Sequence, residues 1–251
     1  MSFKMNFEFR LKGIRIVYDD RVMKPGVDSV LLGAVASAEK FKRAIDLGCG
    51  SGIMSLMLSL SNKAAHIAGV DIDPASVEIS LNNYEINSDL GAVEFYCCNM
   101  FEMDDSHWGS YDLVISNPPY YINQLNSANT HRSLQRHWGS ADLVNFSDLC
   151  SSLLMKEGKL MLVLPVLFEK MWTLEMMKKG LFLQSEIKLR HHKYAPFSLS
   201  VLTYGRTLEY YKIDYLDMFD ENGKYSGNYR RLCGQFILDD LEVSKNDIAI
   251  F

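Results

Sequence analysis

"DLGCGSG", residues 46–52, decides how the rest of this chain is read. It sits where the short apolar run "RAIDLG" (43–48) gives way to "SGIMSLMLSLS" (51–61), so it marks a strand turning into a helix. Glycine at 48, 50 and 52 lets the backbone turn tightly and lets a ligand approach without meeting a Cβ. The spacing differs from the GxGxxG of dinucleotide folds, and no Lys-Ser/Thr follows, which speaks against a phosphate-cradling loop. About twenty residues on, "IAGVDI" (67–72) carries Asp71, an acid placed to accept hydrogen bonds from ribose hydroxyls.

Outward from this loop, strands and helical stretches alternate. "VEFYCC" (93–98), "YDLVIS" (111–116) and "KLMLVLP" (159–165) are short and apolar, and "PASVEISLNNYEIN" (74–87) opens with proline at a first helical position. That alternation implies a parallel sheet covered on both faces. The runs 181–189 and 200–213 suit the end of such a sheet. Before the loop, Phe3, Met5, Phe7, Phe9 and Leu11 alternate with polar residues, predicting a half-buried strand, and "KGIRIV" reads as a turn into a second one. Asp28, in "KPGVDSVLLGAVAS", is placed to N-cap a short helix. Residues 122–148 contain no convincing strand and read as a long polar insertion. No repeat, low-complexity tract or Pro/Gly linker marks a second domain.

"SNPPYY", residues 116–121, ends the fourth strand of this series abruptly, because proline cannot donate to a sheet ladder. It also assembles a particular chemistry. The exocyclic amino group of a base or amide is a poor nucleophile, since its lone pair is delocalised. Two acceptors aimed at its two N–H bonds draw the nitrogen toward tetrahedral geometry. Asn117 offers a side-chain carbonyl, Pro118 a backbone carbonyl, and Tyr120 a flat face for stacking the planar group. Two neighbouring proline rings restrict that carbonyl's direction, and Pro119 and Tyr121 are expected to contact the substrate.

The whole chain sets bounds. Its 251 residues, 48% hydrophobic and 23% charged, suit a soluble globular protein of one large domain or one domain with appendages, on a prior of roughly 150 residues per domain. No apolar run approaches a membrane span, and the first residues lack a signal peptide's apolar segment, so the expected location is cytoplasmic. Five cysteines (Cys49, Cys97, Cys98, Cys150, Cys233) show neither CxxC nor zinc spacing, so no metal and no disulfide framework is expected. A net charge of −5 provides no global attraction for nucleic acid. Any such binding must use local basic clusters: "HRSLQRHW" (131–138), "KLRHHKY" (188–194) or "YRRL" (229–232).

Taken together, the glycine loop, the strand ending in "VDIDP" and the "NPPY" after the fourth strand resemble the class I S-adenosylmethionine-dependent methyltransferases, over about residues 25–211. The resemblance implies an α/β, Rossmann-like sheet of seven strands with helices on both faces, and S-adenosyl-L-methionine as cofactor. It places Asp46, Gly48, Gly50 and Gly52 under the amino-acid part of that cofactor and Asp71 on its ribose. It places Asn99 in "CCNMF" at the adenine, although the family's usual acid is absent there. Asn117, Pro118 and Tyr120 become the catalytic set.

"YDDRVMKPGVDSVLLGA", "NPPYY" and "HRSLQRHWGSADL" together are similar to the bacterial tRNA1(Val) adenine-37 N6-methyltransferases. That similarity implies a hairpin-and-helix extension (1–40) before a methyltransferase domain (41–251), with Asp28 near the cofactor. It implies tRNA as partner, with Arg132, Arg136 and His137 touching RNA phosphates, and no membrane or obligate protein partner. Two alternatives stay open. Glutamine N5 methyltransferases of release factors share "NPPY" but carry a sizeable helical domain before the core. Guanine N2 methyltransferases of ribosomal RNA commonly have phenylalanine where this chain has Tyr120.

Overall fold

The computed structural model of the protein describes residues 7–119 and 140–238. A hairpin comes first: β1 (Phe7–Leu11) and β2 (Ile14–Tyr18) pair antiparallel, with Leu11 opposite Ile14 across a Lys12-Gly13 turn. Phe3 and Met5, expected on the same strand face, lie outside the described residues. Helix α1 (Val27–Ala36) leads into the strand–helix series: β3 (Arg43–Leu47), α2 (Ile53–Ser61), β4 (His66–Asp71), α3 (Pro74–Glu85), β5 (Val93–Cys97) and β6 (Tyr111–Ser116). After the undescribed stretch come α4 (Ser140–Leu153), β7 (Leu154–Pro165), α5 (Glu169–Lys178), β8 (Phe182–Arg190), β9 (Phe197–Gly205), β10 (Lys212–Asp217) and α6 (Gly227–Cys233).

The main sheet runs β10-β8-β9-β7-β6-β3-β4-β5. It has eight strands, not the expected seven. The additional strand is β10, which pairs parallel to β8 at the edge, Lys212 opposite Ser185 through Asp217 opposite Arg190. The late apolar run 200–213 divides accordingly, its first half ending β9 and its last two residues beginning β10. The sheet is not wholly parallel either. β9 runs antiparallel to both β7 and β8, because a short turn rather than a helix joins β8 to β9. The expected polar insertion also shortens: from Ser140 onward the chain is helical.

Period two on the strands divides the core between the two faces. On one face Ala44, Ile67, Leu113, Ile115, Met161 and Val163 pack with buried residues of α1, α2, α3 and α6, and with Leu11, Ile14 and Ile16 of the hairpin. On the other, Ile45, Leu47, Val70, Val114, Leu160 and Leu162 meet Phe146 of α4 and Trp172 of α5. Both faces are thus covered. No helix among the described residues is long and apolar enough to cross a membrane.

Because β3, β4, β5, β6 and β7 are parallel, their C-terminal ends share one edge of the sheet. At that edge α3 starts as its sequence dictates, with Pro74 in the first turn and Asp73 as N-cap. The Asp73 carboxylate accepts from Ala75 N and Ser76 N at 3.2 Å each, and from Ser76 Oγ at 2.9 Å. Asp73→Ala removes this cap and is expected to lower unfolding free energy by about 1 kcal/mol. Urea denaturation measures it; an unchanged midpoint would mean that tertiary packing alone fixes the helix start.

Candidate active site

The glycine loop is tied down from three sides. Gly48 N and Cys49 N both donate to Val70 O, at 2.8 and 3.0 Å, which fastens the loop to the end of β4. Asp71 then holds it from the side: Oδ2 accepts from Gly50 N and Oδ1 from Asp73 N, each at 2.9 Å. From below, the fully buried Asn83 of α3 donates to Ser51 O at 2.9 Å while accepting from Val17 N of the hairpin at 2.8 Å.

The three loop glycines serve two different ends. Gly48 and Gly50 have φ of 75° and 55°, and a Cβ on either would meet no heavy atom of another described residue within 4 Å. The surface above them is open, and only a glycine keeps it so at those angles. Gly52, at φ 80°, is a packing residue, since a Cβ there would come within 2.9 Å of Phe95 Cζ and Ser80 Cβ.

Asp46 does not line that open space. It is fully buried at the end of β3; Oδ2 accepts from Ser55 Oγ at 2.8 Å, and among the described residues Oδ1 has no hydrogen-bond partner. Burial pushes its carboxyl up to about 7, and the nearby Asp71 charge adds to the rise. Burial raises Asp71 as well, against the backbone N–H groups that favour its charged form. Cys49, buried between these acids, is pushed well above the ordinary thiol range and stays a neutral thiol.

Asn117 enters from the neighbouring strand. In the β3–β6 pairing Leu47 stands opposite Ser116, and Ser116 Oγ donates to Leu47 O at 2.7 Å. Asn117 therefore leaves β6 at the same edge of the sheet at which Gly48 leaves the neighbouring β3. Its Nδ2 donates to Asp28 Oδ2 at 2.9 Å, with Ser29 Oγ at 3.4 Å. Pro118 is buried and Pro119 half-buried behind it.

Asp28 is placed differently from its expected cap position. The N-cap of α1 is Gly26, with no side-chain cap bond, and Asp28 stands inside the first turn, accepting from Ser29 N at 2.8 Å. The helix starts earlier than the sequence suggested because Gly26 is already extended, at φ −121°. Asn99 lies just past β5, half-buried, with Oδ1 accepting from Phe101 N at 3.1 Å and Nδ2 donating to Glu102 Oε1 at 2.9 Å. Cys98 N donates to Asp71 O at 3.0 Å, so Asn99 is close in the chain to the Asp71 end.

Asp28, Asp46, Gly48, Gly50, Gly52, Asp71, Asn99, Asn117, Pro118 and Pro119 thus all belong to the C-terminal edge of the parallel strands. Tyr120, Tyr121, Arg132, Arg136 and His137 lie outside the described residues. Ser55, Asn83 and Ser116 were not anticipated. Ser55 had a signal, as a polar residue in the otherwise apolar helix "IMSLMLSLS". Among the described residues, no group of three or more His, Cys, Asp or Glu could hold a metal ion.

Comparison with known proteins gives a family and a fold. The profile of the methyltransferase small domain family matches residues 24–194. The tRNA1(Val) (adenine(37)-N6)-methyltransferase of Yersinia enterocolitica serotype O:8 is 27% identical over 232 residues, 92% of each chain. Its namesake from Yersinia pseudotuberculosis serotype O:3 is 26% identical with the same coverage. Among solved structures, a predicted O-methyltransferase from Agrobacterium tumefaciens superposes with TM-score 0.60 at 13% identity, over 83% of this chain and 96% of that one. M. jannaschii TYW2 in complex with AdoMet gives 0.55 at 14% identity, over 82% and 89%. At such identities the two structures show a shared fold.

Burial at Asp46 has a consequence for stability. A carboxyl raised from its ordinary value near 4 to about 7 in the folded chain binds its proton more tightly folded than unfolded. The folded state then carries the extra proton between those values, so stability falls as pH rises from about 4 to about 7 and stays reduced above. The loss is at most on the order of 4 kcal/mol. Asp46→Asn keeps the shape without the charge, so the drop in Tm between pH 5 and pH 8 is expected to shrink. An equal drop in both proteins, measured by scanning calorimetry, would show that Asp46 does not set it.

Proposed function

The chain belongs to the methyltransferase small domain family, and from that premise we propose that it transfers a methyl group from S-adenosyl-L-methionine to the exocyclic N6 of an adenine in tRNA, adenosine 37 of tRNA1(Val) being the reading its named relatives support. The observation that carries the proposal is the placement of Asn117. Asn117 and Pro118 leave β6 at the same edge where the neighbouring β3 runs into an open glycine loop, and the Asp71 carboxylate holds that loop from the side.

The residues fit the cofactor. The open surface over Gly48 and Gly50 accepts a ligand at close backbone approach. Each Asp71 oxygen accepts one backbone N–H and retains a lone pair for a ribose hydroxyl. Asn99 is assigned to the adenine end. Asp46, fully buried, acts on the cofactor's ammonium group through its field rather than by contact. When bound, the cofactor supplies an electrophilic methyl on a sulfonium.

The remaining work is done by the chain. Asn117 Oδ1 and Pro118 O accept the two N–H bonds of the adenine amino group, localising its lone pair as positive charge develops on nitrogen. Tyr120 stacks the extruded base. Arg132, Arg136 and His137 are assigned to RNA phosphates, where each lost contact lowers the log–log salt slope by about 0.7–0.9. The expected location is the cytoplasm, where tRNA is found.

Two outcomes are expected. Asn117→Ala should lower the single-turnover rate on unmodified tRNA by roughly 10²–10³ while cofactor affinity survives. Near-normal turnover would leave "NPPY" as a strand terminator only. Asp71→Ala should weaken S-adenosylmethionine binding by about 1.5–3 kcal/mol in calorimetry. Unchanged affinity would confine Asp71 to holding the loop. Nucleoside mass analysis of the methylated product separates N6-methyladenosine from N2-methylguanosine, and an inert tRNA with a methylated release-factor glutamine would replace the substrate.

A further inference from the structure

The two ends of the Asn117 carboxamide are nearly identical in shape and opposite in chemistry. The reaction requires Oδ1, an acceptor, to face the amino group; the flipped amide would present N–H donors to N–H donors. Nothing in the local sequence "SNPPY" selects between the two. The selection comes from 89 residues away, where Asp28 Oδ2 receives Nδ2 at 2.9 Å. A carboxylate accepts and does not donate. It therefore holds the amide's nitrogen end and turns Oδ1 away from itself.

From this geometry we infer that Asp28 is a positioning residue for the transfer: its carboxylate fixes the Asn117 carboxamide with Oδ1 toward the amino group. The inference rests on the proposed role of Asn117 as acceptor. The contact also polarises the amide. An N–H donated to an anion shifts electron density toward Oδ1, which strengthens its attraction for a nitrogen that is becoming positive.

The sequence around Asp28 is arranged for this contact. A Cβ on Gly26 would stand 2.6 Å from Asp28 Oδ1, so glycine clears the space in which the carboxylate sits. Gly26 has φ −121° and ψ 179°, extended backbone that any residue adopts, so its role is room rather than conformation. Asp28 itself rides on the first turn of a helix whose Leu31 and Leu32 are fully buried. Ser29 Oγ, 3.4 Å from Asn117 Nδ2, backs the same end of the amide.

The test is a set of single-turnover methylation rates on tRNA at saturating cofactor, with cofactor and tRNA Kd measured beside them. Asp28→Asn, which has the same shape but can donate, is expected to slow the chemical step on the order of tenfold to a hundredfold with both Kd values unchanged. Asp28→Glu, still acceptor-only, should recover part of the rate. Gly26→Ala, which displaces the carboxylate and keeps its charge, should slow the step in the same sense and serves if the Asp28 variants fold poorly. The double variant Asp28→Asn/Asn117→Ala should be no slower than Asn117→Ala alone, because Asp28 acts through Asn117.

Additive losses would overturn the inference, as would a normal rate at saturation with weakened cofactor binding. A full rate in Asp28→Asn beside a crippled Asn117→Ala would sink the positioning role and keep the methyl-transfer reading. A full rate in Asn117→Ala would remove both.

Discussion

The central strand β3 is paired in parallel on both sides, and its register decides where the candidate site lies. Leu47 faces Val70 on one neighbour and Ser116 on the other. The three chain segments that leave the sheet there are the glycine loop, the Asp71 turn and the Asn117 turn. A slip of one residue in either pairing would reverse the faces of a strand buried on both sides. Such a slip is resisted by apolar side chains all along these strands, so the site's geometry rests on the packing of the core. The Ser116 Oγ to Leu47 O bond and the paired N–H groups on Val70 O then secure the strand ends.

That edge carries an electrostatic load. Burial raises the carboxyls of both Asp46 and Asp71, the nearby Asp71 charge adds to the rise at Asp46, and among the described residues Asp46 Oδ1 has no hydrogen-bond partner. A cationic ligand near the loop would relieve both acids, so part of the folding penalty becomes binding energy. The neutral Cys49 thiol between them adds no third charge. On the proposed reading, binding and stability would then be coupled through the same two carboxylates.

What the sequence made legible is what lies contiguous in it. The glycine loop, the Pro74 helix start and the abrupt end of β6 each place a special residue beside a clear period change. Strand β10 was harder to read because four of its six residues are exposed and only Leu216 is buried, which leaves no alternation. Asp46 read as a ligand contact from its motif position, while its side chain turned out to face Ser55 beneath the loop. Periodicity gives the face of a strand residue, not the depth of its functional atoms. Asn83 links the hairpin to the loop from the middle of α3, and nothing beside it in the sequence announces two distant partners.

Those distant partners change how the first forty residues are understood. The hairpin reaches the loop through Asn83, and α1 reaches the Asn117 turn through Asp28. Both contacts come from elements whose apolar faces are buried in the same core as α2 and the central strands. A carboxylate on a free loop would wander by more than a hydrogen bond tolerates, whereas one on the first turn of a buried helix is placed by the packing of that helix. Asn117 is equally constrained, since it leaves an interior strand of the sheet. The donor and the acceptor are thus each held by a rigid element, and their 2.9 Å separation follows from how α1 and β6 pack. An amide whose direction matters is set here by a helix that precedes the cofactor loop, so the segments before β3 form part of the site's structure.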